Sequence, residues 1–125
     1  MYEDFRVTDR WSGEELRCIW KGTVVALATR HADAVDVRFD VSGRPVWVAL
    51  PLAAWTQQKA FTGKVITDQI AAQAAGRFLK QSIEEGANGH REIRTMTVAE
   101  VLSQLDAVVA EARQLGGMPA LPAEA

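Results

Sequence analysis

A chain of 125 residues with 48% hydrophobic and 24% charged side chains is sized for one domain whose core removes about two-thirds of the unfolded surface from water, a balance that excludes wholesale disorder. Its net charge of -2 is interspersed along the sequence, which disfavours a general affinity for nucleic-acid phosphates. Cys18 is the only cysteine, so no intrachain disulfide or thiol cluster is available. No basic-then-apolar leader opens the chain and no apolar run approaches the roughly 20 residues that span a bilayer, so a cytoplasmic protein without a membrane segment is expected.

Phe5 and Val7, two apart, allow a short edge strand near the start. Ser12 and Glu15 have the spacing of a helix-capping box. The residues that follow contradict a helix. Cys18, Ile19, Trp20, Thr23, Val24 and Val25 are β-branched, aromatic or small, so 16–29 reads as a strand, bent or bulged at Lys21-Gly22. A polar connection over 30–33 leads into the most legible stretch of the chain.

There Val35, Val37, Phe39 and Val41 alternate with Asp36, Arg38 and Asp40, then comes a Ser42-Gly43 turn and a second strand in which Val46, Val48 and Leu50 extend the apolar face. This is the pattern of a half-buried β-hairpin. Trp47 and Ala49 then belong to the opposite face. Pro51 suits the first turn of a helix in which Leu52, Trp55 and Phe61 share a face, with a break over 62–64.

Thr67 or Asp68 caps the next helix, which runs to Glu85 with Ile70, Ala74 and Phe78 in one row and Ala71, Ala75, Leu79 and Ile83 in the next. Gly76 permits a close approach and Gly86 is the C-cap. Weak alternation over 91–96 fits a short strand or a linker. Thr97 and Glu100 then form a capping box for a last helix, whose stripe of Val98, Val101, Leu102, Leu105, Val108, Val109, Ala112 and Leu115 stops at Gly116-Gly117. Together these elements predict an α+β domain over 1–117: a small, mainly antiparallel sheet of three to four strands packed against two C-terminal helices, followed by a flexible tail at 118–125.

Chemistry-bearing patterns are sparse. His31 and His90 have no i, i+4 partner, so they read as surface residues unless Asp33, Asp36 or Glu92 converge on them; no metal site is expected. Ser12, Ser42, Ser82 and Ser103 have turn, cap or helix-surface explanations, and Cys18 reads as a buried, inert thiol. The glycines make no phosphate loop and no dinucleotide fingerprint, and no cofactor is expected. Glu100, Asp106, Glu111 and Arg113 on the last helix would repel DNA as much as attract it.

What remains is the charged row Asp36-Arg38-Asp40 and the tryptophans at 11, 20, 47 and 55. An outward row of charges is the ordinary way a sheet meets water, but Trp47 beside Arg38 would offer stacking and charge together. The favoured expectation is a non-catalytic binding or assembly module, a homodimer whose contact is the last-helix stripe (Val101, Leu105, Val108) or the Trp47 face. The alternative is a small-molecule-binding protein or small enzyme, with a pocket between sheet and helices lined by Trp20, Trp47 and Trp55 and oriented by Arg38 or Asp36.

Overall fold

The computed structural model describes residues 2–26, 34–62, 67–86 and 93–115. The expected connection at 30–33, the break at 63–64, both histidines, Gly116-Gly117 and the tail lie outside the described residues. In chain order the elements are β1 (Asp4–Thr8), β2 (Glu15–Ala26), β3 (Ala34–Val41), β4 (Arg44–Pro51), α1 (Ala53–Thr62), α2 (Asp68–Glu85), β5 (Ile93–Thr95) and α3 (Val98–Leu115). The class is α+β.

The sheet has five strands in the order β1-β2-β3-β4-β5, where the sequence predicts three to four. Both strands of uncertain standing, β1 and β5, are real and lie at the two edges. β1 to β4 are antiparallel neighbours, and β5 runs parallel to β4. Only three residues long, β5 has little local propensity to announce it. Its pairing is continued by the Met96 N–H, which donates to the Ala49 carbonyl at 2.9 Å.

The β3–β4 turn is made by Ser42 at φ 48° and Gly43 at φ 92°, the left-handed pair that matches the twist of two hydrogen-bonded strands. Gly43 N–H donates to Asp40 Oδ1 at 2.9 Å, and the Arg17 N–H donates to Ser42 Oγ at 3.0 Å, so the hairpin tip is stitched to β2. In β2 the register shifts between Trp20 and Gly22. Lys21 is the extra residue of a bulge. Before it, Cys18 and Trp20 stand opposite Val41 and Phe39; after it, Thr23 stands opposite Val37 and Val24 opposite Asp36. Pro51 closes β4 opposite Ala34 instead of opening the helix, which begins at Ala53.

One face of the sheet is sealed. Val35, Val37, Phe39, Val41, Val46, Val48 and Leu50 are buried there against α2 and α3. Thr67 Oγ1 accepts from Ile70 N–H at 3.2 Å to start α2, and Gly86, at φ 73°, ends it. The expected capping box of α3 is reciprocal: Glu100 N–H donates to Thr97 Oγ1 at 3.1 Å and Thr97 N–H to Glu100 Oε1 at 2.9 Å.

Helix α2 is wedged so tightly that Ala71, Ala72, Ala74, Ala75 and Gly76 are all buried. A Cβ at Gly76 would come within 2.6 Å of the Tyr2 carbonyl oxygen, because the N-terminal segment crosses the helix at that point. Tyr2 N–H donates to Gln73 Oε1 at 2.6 Å, the Gln73 amide donates to Glu3, and the Tyr2 hydroxyl donates to Glu111 Oε1 at 2.8 Å. Arg77 joins Glu111 to Gln104, with bonds of 3.2 and 2.8 Å. The buried amides are thus satisfied. Burial and the Glu111 carboxylate push the Tyr2 hydroxyl above its ordinary pKa.

The stripe of α3 faces inward. Val101, Leu105 and Val108 are at most 1% exposed within the single chain, so they are core and present no surface to a subunit partner. Periodicity shows that such a stripe must be buried, but does not show against what; here α1, α2 and β4 take it up.

Candidate functional site

The other face of the sheet carries no described helix. Two of its rows of side chains run from β2 to β5. Val24, Asp36, Ala49 and Thr95 form one, in register from β2 to β5; Gly22, Arg38, Trp47 and Ile93 form the next. Val24 and Ile93 are 54% and 66% exposed, apolar side chains on the face where an antiparallel sheet ordinarily carries polar ones. Trp47 is half-buried, and the Arg38 guanidinium lies 5.7 Å from the centroid of its ring, within the range of a cation–π contact.

Charge is arranged around this patch. Asp36 sits between the aliphatic side chain of Val24 and Ala49, and burial raises its carboxyl pKa. Asp40, one step beyond Arg38, spends Oδ1 on the hairpin turn. Lys21, Arg38, Asp40, Gly43 and Pro45 border a shallow groove of about 380 Å³ at the hairpin end. The β1 side of the same face is different in kind. There Arg17 donates to both oxygens of Asp4, at 3.1 and 2.8 Å, and Arg6 pairs with Glu15 at 2.9 Å; the Arg17 hydrogen bond holds the Asp4 carboxyl below its usual range.

Asp36, Arg38 and Trp47 therefore lie on one face, with Arg38 opposite Trp47. Trp20 and Trp55 do not join them. Both lie against the core, on the opposite side of the sheet, with Trp20 Nε1 donating to Thr23 Oγ1 at 3.1 Å. The five residues expected to line one pocket are divided by the thickness of the sheet, since residues of opposite parity along a strand point to opposite faces.

Between sheet and α2, a cleft bounded by Asp9, Trp11, Arg44, Leu79, Gly86 and Arg94 has a volume of only about 10 Å³, room for about one water. Arg94 and Asp9 are both buried in it. Desolvation, with the neighbouring Arg44 cation, lowers the Arg94 pKa, and the nearby Asp9 carboxylate opposes them. Trp11 closes the cleft: its indole N–H donates to the Gly86 carbonyl at 3.0 Å, and Asp9 accepts from the Trp11 N–H and the Ser12 hydroxyl at 3.1 and 2.9 Å. Trp11, which the sequence left unassigned, thus ties the β1–β2 loop to the end of α2.

Cys18 is fully buried, and burial pushes its thiol up to about 12. It is protonated at neutral pH and has no nucleophilic character there. Among the described residues no group of three or more His, Cys, Asp or Glu side chains is placed to hold a metal ion, and no described helix is long and apolar enough to cross a membrane.

Compared with protein-family models, with curated proteins and with solved structures, the chain has no significant match. Its function is therefore argued from geometry. Sequence reasoning missed Gly22, Val24, Ile93 and Thr95 as members of the patch. Val24 depends on the bulge, because with Lys21 in a regular place Thr23 would face outward instead. Ile93 depends on a parallel pairing across more than 40 positions of chain, for which no local signal exists.

Proposed function

We propose that this chain is a non-catalytic binding or assembly module that self-associates as a homodimer, and that its working surface is the face of the sheet around Trp47 that carries no described helix. The observation that carries this reading is the exposure of Val24 and Ile93 on either side of the Arg38-Trp47 stack, while the helices cover only the opposite face. A sheet face open to water ordinarily carries polar residues, and on the β1 side of this one the Asp4–Arg17 and Arg6–Glu15 pairs do so around Ile19. Exposed aliphatic side chains around an aromatic anchor are what a protein contact buries. Cys18 as a lone, buried thiol supports a cytoplasmic setting.

Native mass spectrometry with light scattering over a concentration series tests the reading. A dimer is expected for the natural chain, and a monomer with an unchanged far-UV spectrum for Val24→Asp and for Ile93→Asp. A natural chain that stays monomeric at every concentration, or variants that dimerise as well as it does, would overturn it. A reproducible extra mass on a monomer would redirect the function to a small molecule.

A further inference from the structure

Resting on that reading, we infer that the second copy docks about a two-fold axis that runs across the strands and crosses β3 between Asp36 and Arg38. In a two-fold contact each residue meets a counterpart and returns the same contact. An axis placed there lays the Val24 row of one copy over the Gly22 row of the other. Asp36 then faces Arg38 of the second copy, and Arg38 faces its Asp36.

The remaining members of the rows fit the same operation. Trp47 is set over Ala49, Val24 over Gly22 and Ile93 over Thr95, a larger side chain against a smaller one in each case. A Cβ at Gly22 would have no heavy atom within 4 Å, so this position is an open notch on the free chain. Because β3 is the central strand, the axis passes through the middle of the sheet, and the twist that carries packed sheets apart at their corners leaves the closest approach at this charge pair.

Other placements are penalised by the charge row. An axis through Arg38 across the strands sets Arg38 on itself and Asp36 on Asp40; an axis running along β3 sets every charge on its own kind. Like charges facing each other in a contact oppose it strongly. Moving the axis one step, between Arg38 and Asp40, restores opposite charges but leaves Val24 outside the paired rows, gives Ile93 no counterpart among the described residues, and uses a carboxylate already engaged by Gly43.

Charge reversal tests whether the charges at positions 36 and 38 hold the contact. Arg38→Asp gives one copy carboxylates at both positions, and Asp36→Arg gives one copy cations at both, so each variant alone repels itself. Sedimentation should show each dimer weakened by about 30-fold or more, as for other buried charge pairs that lose a partner. An equimolar mixture of the two should assemble as a one-to-one heterodimer, within about tenfold of the natural affinity. Circular dichroism of each variant alone reports that it is folded.

If the mixture stays monomeric while Val24→Asp still dissociates the natural dimer, this register is wrong and the face remains the contact. If Arg38→Asp instead pairs with Asp40→Arg, the axis lies one step further along β3 and the inference is overturned. A natural chain that is monomeric throughout removes both the register and the reading on which it rests.

Discussion

On one side of β3 and β4, Val37, Phe39, Val48 and Leu50 have no exposure to solvent; on the other side of the same two strands, Arg38 is open to water and Trp47 only half-covered. The alternation of the hairpin supplies both faces equally. The difference lies in what the rest of the chain brings to each. Helices α2 and α3 deliver their apolar stripes to the first face, and α2 is made of alanines and Gly76 because it is wedged between the sheet, α3 and the N-terminal segment. None of the described helices serves the second face, yet that face has not been made polar from edge to edge. Its β1 edge is furnished with ion pairs, and the part from the end of β2 to β5 with Val24, Trp47 and Ile93. A sheet in water needs no such side chains, and their placement is the reason for assigning that side a partner.

The contrast is most directly broken by putting a charge on each face. Val101→Glu buries a carboxylate in the core and should cost more than about 4 kcal/mol, enough to remove the cooperative thermal transition. Val24→Asp on the outer face should cost the monomer only about 1 kcal/mol, from lower strand propensity and a second carboxylate opposite Asp36, while abolishing assembly. A folded, monomeric Val101→Glu protein would instead restore α3 as the contact surface.

Cys18 probes the sealed face without mutation. Its folded pKa of about 12 stands above the ordinary 9.0, so the folded chain holds the proton more tightly than the unfolded one. The stabilisation this reflects is complete below pH 9 and is lost as pH rises toward 12. Denaturant midpoints should fall across that window, and a thiol reagent at pH 8 should react only at the rate of unfolding.

A smaller effect is expected at Gly76. Gly76→Ala sets a methyl group against the Tyr2 backbone and should cost about 2 kcal/mol through overpacking, outweighing the better helix propensity of Ala. The loss should appear with increased amide exchange over residues 2–8. Smallest of all, Asp36→Asn should raise the melting temperature of the monomer slightly. Burial raises the Asp36 pKa, so its charged form is disfavoured in the folded chain, and stability should rise as pH falls through that pKa. The same substitution should weaken assembly, and a variant that is both less stable and fully dimeric would contradict the outer-face assignment.

The β3–β4 half of the outer patch was legible. A two-residue turn at Ser42-Gly43 fixes the pairing of β3 with β4, so Arg38 opposite Trp47 and Asp36 opposite Ala49 follow by counting outward from it. The helices α2 and α3 and their caps follow equally from Thr67, Gly86 and the Thr97–Glu100 box. What was not legible depends on events that leave no mark in a local pattern. The α3 stripe has the same spacing whether it meets α2 or a second chain. Thr23 and Val24 are adjacent and nearly the same shape, and only a bulge decides which of them stands opposite Asp36. Ile93 becomes a neighbour of Trp47 only after two helices have carried the chain back to the edge of the sheet.

Lys21 also makes β2 tolerant of a change in length. Because it is the unmatched residue between Trp20 opposite Phe39 and Gly22 opposite Arg38, its deletion would let the ladder close up with every other side chain of the strand still on its present side. A deletion that the bulge did not absorb would invert the remainder, sending Thr23 outward and Val24 into the core. The irregularity thus marks a place where the gene can lose a codon and keep both surfaces of the sheet.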